Sequence, residues 1–218
     1  MVKRMGAMKI DVNKSALVVV DVQNDFCTGG ALEVKNGEDV VPGINAVLDK
    51  KLFKKVVFTA DWHPVNHVSF ASTHHRKPLE IIDTKTGLQT LWPDHCIENS
   101  KGAAFHPFLA VEKGDLILRK GRDVKLDSYS AFFENDKKTP TGLKGYFADH
   151  EITDVFLCGL AFDWCVFFSA LDAVSFGFKT FVVEDLSRAV NFPEGFQDEK
   201  REEMIKAGIR IIQKDDLT

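Results

Sequence analysis

The 218-residue sequence has no apolar run of the roughly 18 to 20 residues that a membrane span requires. Its N-terminus is basic but has no apolar segment of the kind found in secretory signals, although Met5 and Met8 are alternative start residues. The 28 Lys and Arg residues are scattered and the net charge is −4, so no nucleic-acid surface is expected. We therefore expect a cytoplasmic protein without a membrane or nucleic-acid partner.

Cysteine is also scarce, with four residues and no CxxC pair, so a disulfide framework is not expected. Cys158 lies within the apolar string VFLCGL, which is typical of a core residue. Cys27 lies in a glycine-rich loop and receives no role. Cys96 and Cys165 lie in the polar strings WPDHC and FDWC, and each has to be judged by its neighbours.

Apolar residues make up 44% of the chain, 18 residues are Phe, and 28% are charged, as in an ordinary globular protein with an aromatic core. The length fits a single domain. Short apolar runs alternate with helical periodicity, which predicts a central, mainly parallel sheet flanked by helices in a three-layer, doubly wound α/β fold. The predicted strands are 17–20, 55–59, 115–119, 154–160, 179–184 and 209–213, and the predicted helices are 39–52, 141–150, 163–176 and 193–207.

Residues 60–114 show weak periodicity and are rich in His, Pro, Asn and Thr. Segments of this length without regular structure are uncommon inside a compact domain and usually serve a function. We therefore expect an extension at residues 1–14 and one domain at 15–218, with a functional insertion around 60–114. The histidines discussed below indicate that this insertion binds metal.

Three chemically active side chains follow predicted strands. Asp21 follows LVVV, Lys120 follows LILR, and Cys165 comes shortly after the strand that ends at Leu160. The carboxyl ends of parallel strands meet at one edge of the sheet, where ligands bind. The three residues could therefore form a nucleophile, a base and a charged partner.

Cys165 also falls in the first turn of a predicted helix, where free N–H groups favour a thiolate and could hold an oxyanion. A buried, inert cysteine at this position is an equally good interpretation. Taken singly, Asp21 fits a loop acid and Lys120 fits a solvent-facing lysine, so the case depends on the three together.

A second constellation lies in the long segment, which carries six of the seven histidines. Asp61 and His63 are two residues apart, and in an extended chain their side chains share one face. With His95 they offer one carboxylate and two imidazoles, a donor set suited to a divalent transition metal. His67 is a candidate fourth ligand. A polar surface loop is the plainer alternative.

Phe26 and Trp92 lie in loops near these polar residues. They could form the walls of a flat pocket for an aromatic ring, or they could be ordinary packing residues.

Five short strings occur in order along the chain: DVQNDF at 21–26, DWHP at 61–64, LWPDHC at 91–96, RKG at 119–121 and GLAFDWCV at 159–166. Together they resemble the nicotinamidase and pyrazinamidase branch of the isochorismatase-like cysteine hydrolases. The resemblance extends from about residue 15 to residue 213, nearly the whole chain, and the ordered set is more specific than any one string.

The resemblance implies a role for each matching residue. Catalysis would fall to Asp21, Lys120 and Cys165, and metal binding to Asp61, His63 and His95. The substrate pocket would be formed by Phe26 and Trp92, which sandwich a pyridine ring, by Tyr129, and by the Leu160–Ala161 pair. That pair would be joined by a cis peptide bond that aims the backbone N–H groups of Ala161 and Cys165 at an oxyanion.

The activity implied is the metal-dependent hydrolysis of nicotinamide to nicotinate and ammonia, with pyrazinamide as a further substrate. Zn²⁺ is the expected metal, with Fe²⁺ or Mn²⁺ as alternatives. Phe162 and Trp164 are bulkier than the Thr and Tyr of some relatives, which would alter the pocket rim. Assembly into a homo-oligomer is left open.

Two other functions remain to be distinguished. An amidohydrolase of the same superfamily could act on a ureido or carbamoyl substrate, but several such enzymes lack this metal site. A non-catalytic metal-binding interaction module would not need Asp, Lys and Cys at three strand ends.

Overall fold

The structure, a computed structural model, describes residues 9–218 and is built around a six-stranded, entirely parallel sheet. Its strands are β1 Ser15–Val20, β2 Lys55–Asp61, β5 Leu116–Lys120, β6 Asp154–Leu160, β7 Lys179–Arg188 and β8 Arg210–Ile212. Their spatial order is β5, β2, β1, β6, β7 and β8. The predicted parallel α/β fold is therefore confirmed.

Four α-helices flank the sheet: α1 Val40–Asp49, α2 Leu143–Asp149, α3 Phe167–Ser175 and α4 Phe196–Lys206. Every residue of β1 is buried because successive side chains enter two different cores. Leu17 packs in a cluster with α1 and the long segment, whereas Val18 packs in a cluster with α2, α3 and α4. The protein thus has the three predicted layers.

The order of the strands places a topological switch point in the middle of the sheet. From β1 the chain adds β2 and then β5 on one side, and it then returns to place β6 against the other side of β1. Ligands of doubly wound proteins bind at the carboxyl ends of strands at such a point. The segments after β1 and β6 are therefore the ones expected to form a site.

The long segment at 60–114 contains a hairpin that the sequence did not predict. Strands β3 Ile81–Thr84 and β4 Gly87–Thr90 pair antiparallel and form a separate two-stranded sheet. Ile81 and Leu88 are exposed at 63% and 79%, so the hairpin lies on the surface and lacks the buried apolar face that creates a recognisable alternation.

Two predicted elements depart from the structure by more than a shift of up to three residues at an end. Strand β7 continues to Arg188, because its later residues pair with Gly159 and Leu160 after a register shift in β6. Helix 163–176 begins instead with a π-helical turn, Phe162–Val166, before α3 starts. Such turns frequently occur at functional sites.

Gly159 permits the close approach of β6 to β1. Its φ is +107°, and a Cβ at this position would lie 2.1 Å from the carbonyl oxygen of Val20. Only glycine fits there without moving the backbone.

Within residues 9–218, no helix has both the length and the apolar character needed to cross a membrane. The start of the predicted extension, residues 1–8 with Met5 and Met8, lies outside the described part of the chain.

Candidate active site

Three predicted catalytic residues meet at the carboxyl edge of the sheet. Asp21 directly follows β1, Lys120 is the last residue of β5, and Cys165 lies in the π-helical turn after β6. The Nζ of Lys120 lies 2.9 Å from Asp21 Oδ2 and 3.5 Å from Cys165 Sγ. The Asp21 carboxylate and the Cys165 thiol also lie close together, with ligand atoms within 4.8 Å. The three side chains thus form one contiguous group, which we call the catalytic group.

Asp21 is held so that one carboxylate oxygen is left for chemistry. The Thr59 hydroxyl donates to Asp21 Oδ1 at 2.6 Å, and the Asp21 backbone adopts φ +46°. Oδ2 is ion-paired with Lys120 but accepts no hydrogen bond with acceptable geometry. A buried acceptor in this state is suited to receiving a proton.

Burial governs the protonation of the group. It raises the pKa of the Cys165 thiol well above its usual value, and the attraction of Lys120 only partly opposes this effect. The thiolate predicted from the helix N-terminus is therefore not the resting form, because desolvation outweighs the nearby cation. Burial also raises the pKa of Asp21, which makes this carboxylate a stronger base than an exposed one.

Lys120 is the fixed positive charge of the site. It is fully buried, and its Nζ contacts Asp21 Oδ2, Asp61 Oδ1 at 2.5 Å and the Ser128 carbonyl at 2.9 Å. Burial would lower the pKa of Lys120, but the two carboxylates raise it well above its usual value. The ammonium group is therefore charged throughout the physiological pH range.

The turn that carries Cys165 begins with a cis peptide bond between Leu160 and Ala161, as the resemblance implies. The Ala161 carbonyl accepts hydrogen bonds from Trp164 and Val166, which closes the turn. Ala161 and Cys165 both line the cavity described below. Leu160 is fully buried and is not among the lining residues, so its predicted substrate contact is not made by its side chain.

The predicted metal ligands also come together. Asp61 Oδ2 lies 3.7 Å from His63 Nε2 and 3.9 Å from His95 Nε2, and all three residues are buried. The separations between these atoms are those of ligands that surround one ion rather than of hydrogen-bonded partners. We call these three residues the metal cluster.

Backbone carbonyls fix the orientation of both imidazoles. His63 Nδ1 lies 2.9 Å from the Gly121 carbonyl, and His95 Nδ1 lies 2.8 Å from the Pro93 carbonyl. With the proton on Nδ1, each ring presents the lone pair of Nε2 to the cluster. Burial, assisted by His63, lowers the pKa of His95 to about 4, so its ring is neutral at pH 7.

Asp61 connects the metal cluster to the catalytic group. One of its oxygens accepts from Lys120, and the other faces the two histidines. Burial acts against the charge of Asp61, but Lys120 and then His63 hold the pKa of this carboxyl well below its usual range. Gln23 fixes the backbone of Asp61, accepting from its N–H and donating to its carbonyl at 2.8 Å each.

His67 lies beside this cluster rather than in it. Its ring stacks on His63 with centroids 4.2 Å apart. Its two nitrogens lie 2.7 Å from Ser69 Oγ and 3.2 Å from the Leu126 carbonyl. The group of potential metal ligands that includes His67 also contains His63 and Asp127, and it is separate from the group of Asp61, His63 and His95.

Cys165 of the catalytic group and Asp61 and His95 of the metal cluster line one cavity. Four of the five predicted pocket residues line it, and the Trp92 indole N–H donates to the Tyr129 hydroxyl at 3.1 Å. The lining predicted from the sequence comprises Phe26, Trp92, Tyr129, Asp61, His95, Ala161 and Cys165.

Five further lining residues had no assigned role. Trp164 packs edge-on against Trp92 at 4.7 Å, and its bulk was the one signal that indicated a position at the pocket rim. The remaining residues are brought in from segments with no motif of their own. They are Leu32, Val34, Asp127 and Val190.

A polar constellation at the switch point of a parallel sheet, opening into a partly apolar cavity, defines a parallel α/β protein of the hydrolase class. The sequence pattern of the Isochorismatase domain matches residues 15–216. The chain therefore belongs to the isochorismatase domain family.

Two similar bacterial proteins are both named nicotinamidase. The chain is 41% identical to a nicotinamidase of Acinetobacter baylyi over 201 residues, which is 92% of each protein. It is 44% identical to a nicotinamidase of Escherichia coli over 178 residues, covering 81% of this chain and 84% of that protein.

Solved structures agree in fold over the same length. A nicotinamidase and pyrazinamidase from Acinetobacter baumanii superposes with a TM-score of 0.92 at 44% identity, covering 95% of this chain and all of the other. An L. infantum protein in complex with nicotinate gives 0.86 at 37% identity, covering 97% and 98%. A Pyrococcus horikoshii pyrazinamidase in complex with zinc gives 0.76 at 30% identity, covering 92% and 99%.

Proposed function

We propose that this chain is a nicotinamidase, which hydrolyses nicotinamide to nicotinate and ammonia. The single observation that carries the proposal is that the Cys165 thiol and the Asp61 and His95 side chains line the same cavity, which is walled by aromatic rings. Nicotinamide carries its ring nitrogen and its carboxamide at separate, 1,3-related positions of one flat ring. The catalytic group can bind the carboxamide, and the metal cluster can bind the ring nitrogen. The names of the similar nicotinamidases and the nicotinate complex support the same substrate.

In the proposed reaction Asp21 takes the proton of the Cys165 thiol as the sulfur attacks the carboxamide carbon. The carbonyl oxygen becomes an oxyanion, which the backbone N–H groups of Ala161 and Cys165 stabilise. Asp21 then gives its proton to the nitrogen, ammonia leaves, and a thioester remains on Cys165. Water activated by Asp21 adds to the thioester, and nicotinate leaves as the thiol recovers its proton.

Lys120 makes this proton transfer feasible in a buried site. Its ammonium group lies near both the thiol sulfur and the Asp21 carboxylate, so it stabilises negative charge on either during the transfer. The same charge favours the thiolate form at the moment when Asp21 becomes neutral.

We propose Asp61, His63 and His95 as the ligands of one divalent metal ion, Zn²⁺ by preference and Fe²⁺ or Mn²⁺ as alternatives. The neutral His95 ring, the Nε2 atoms turned toward the Asp61 carboxylate and the carbonyl partners of both Nδ1 atoms fit such an ion. When bound, the metal supplies a Lewis acid that can hold the pyridine nitrogen and orient the ring.

The proposed domain at 15–218 carries all of these residues, and its insertion at 60–114 supplies the three ligands of the metal. Phe26 and Trp92 would hold the two faces of the pyridine ring, and pyrazinamide, which has a similar flat ring, would also be accepted. We propose that the enzyme, by releasing nicotinate, serves the salvage of pyridine nucleotides. We propose the cytoplasm as its location.

Purified protein loaded with Zn²⁺ should release ammonia from nicotinamide and from pyrazinamide, and a chelator should remove the activity. Ammonia release can be followed with a coupled assay, with nicotinate identified by chromatography. A panel of ureido and carbamoyl substrates serves as the comparison. Turnover of a ureido substrate but not of nicotinamide would overturn the proposed substrate.

Metal content provides a separate prediction. Asp61→Ala and His63→Ala proteins should each lose most of the bound metal, because three protein ligands become two. Elemental analysis after dialysis measures this directly. His75→Asn is the matched control, because His75 is an exposed histidine of the same segment and should leave the metal content unchanged. Full retention by both ligand variants would contradict the assignment.

A further inference from the structure

The Asp163 carboxylate is buried two residues before Cys165 and binds another part of the chain. It is fully buried, and its two oxygens accept hydrogen bonds from consecutive backbone amides. Val190 N–H donates to Oδ1 at 3.0 Å, and Asn191 N–H donates to Oδ2 at 2.7 Å. Asp163 itself does not line the cavity, and the reaction described above does not use it.

The amides belong to residues 189–195, which follow β7 and which we call the strap. Val190 of the strap lines the substrate cavity. At the next residue, the Asn191 side chain accepts from the Gly195 and Gln197 amides at 3.1 and 3.2 Å, where α4 begins. The strap is thus fastened at one end by Asp163 and at the other by Asn191.

A second contact connects this arrangement to the cavity wall. Phe196, the first residue of α4, packs against Trp164 with ring centroids 5.6 Å apart. Trp164 lines the cavity and lies between Asp163 and Cys165 in the chain. Val190 and Trp164 form one wall of the cavity. The hydrogen bonds of Asp163 therefore hold this wall at its distance from Cys165.

We propose that Asp163 is a positioning residue that holds the strap against the cavity and thereby limits the size of the ring that the enzyme accepts. The inference rests on the proposed nicotinamidase function and adds its determinant of ring size. Carboxylate–amide hydrogen bonds are among the stronger ones, and two of them act here on adjacent residues. Asparagine would keep one acceptor but would point an NH₂ group at a backbone N–H donor.

The Asp163→Asn enzyme should show a KM for nicotinamide about 10-fold higher, with kcat within about 3-fold of the parent, as expected for loss of one charge-assisted hydrogen bond. Its selectivity should change as well. We would measure kcat/KM for nicotinamide and for a set of nicotinamides that each carry one methyl group on a ring carbon. The preference for nicotinamide over the poorest of these should fall about 10-fold, because the wall can move away.

This preference is the ratio of two kcat/KM values measured on the same enzyme sample. An unfolded fraction of the sample lowers both values equally and leaves the ratio unchanged. Asp185→Asn is the matched control, because its carboxylate also accepts a backbone amide, that of Lys214 at 2.7 Å, but does not line the cavity. It should keep the parent preference. Asn191→Gly, at an exposed position with φ +51°, releases the other end of the strap and should relax the preference even if Asp163→Asn fails to fold.

An unchanged KM and preference in Asp163→Asn, or an unchanged preference in Asn191→Gly where Asp163→Asn does not fold, would overturn the inference while leaving the proposed function intact. A parent enzyme that does not hydrolyse nicotinamide would instead overturn the proposed function, and the inference with it.

Discussion

Replacing Cys165 with alanine should lower the rate of ammonia release from nicotinamide by about 10⁴-fold or more, the loss typical of enzymes deprived of their nucleophile. Without the sulfur no thioester can form, and Asp21 has no thiol to deprotonate. The cavity and the metal cluster should remain, because the alanine side chain fits within the space of the cysteine.

The measurement is a steady-state ammonia assay on the metal-loaded protein, together with nicotinate binding by calorimetry. Binding should persist in Cys165→Ala while turnover is lost. Cys27→Ala is the matched control, because Cys27 is also a buried free thiol but does not line this cavity. Parent activity in Cys165→Ala would show that the nucleophile is assigned wrongly.

Replacing Lys120 with methionine should destabilise the fold by about 3–5 kcal/mol in addition to abolishing activity. The side chain is fully buried between Asp21 and Asp61, whose carboxylates are also buried. Removing the ammonium group leaves two negative charges in a desolvated site with no lysine partner. Urea unfolding of the metal-free proteins measures the change in the free energy of unfolding.

The deficit of Lys120→Met should depend on pH with a defined sign. Without the cation, the folded-state pKa of Asp21, which burial already raises, rises further, and that of Asp61 rises above its value in the unfolded chain. The folded state then binds more protons as the pH falls, so the deficit should be smaller at pH 5 than at pH 8. Adding Asp21→Asn to Lys120→Met should restore part of the stability at pH 8.

Lys137→Met provides the control for losing a lysine from an ion pair. Lys137 pairs with Asp172 at 2.9 Å, but its side chain is 48% exposed. Its loss should therefore cost no more than about 1 kcal/mol. If Lys120→Met were as stable as Lys137→Met at pH 8, the two buried carboxylates would not depend on Lys120 for their charge.

The central fold could be predicted because its signals are local. A continuous apolar run such as Leu157 and its neighbours indicates a strand covered on both faces, and the structure buries every residue of β6 after Asp154. Strand ends in turn locate candidate site residues, since parallel strands share their carboxyl edge. Cys158, predicted as a core residue from its apolar neighbours, is fully buried.

The pocket wall could not be predicted in the same way. Val190 lines the cavity, and its backbone N–H donates a hydrogen bond to Asp163, 27 positions earlier. Neither residue belongs to a recognisable spacing, and an apolar residue after a strand has no distinguishing pattern. The π-helical turn at Cys165 was likewise missed, because its sequence has the same apolar spacing as the start of an ordinary α-helix.

The placement of β6 beside β1 also affects how the protein is made. These strands pair residues 15–20 with residues 154–159, so contacts of very large sequence separation form the middle of the sheet. Such contacts are slow to form, because a long loop must close before they contribute stability. During synthesis, a chain that ends before Cys165 can contain Asp21, Lys120 and all three proposed metal ligands and still lack the proposed nucleophile. Activity would then appear only after the last third of the chain has left the ribosome, and its rate of appearance would report on long-range folding.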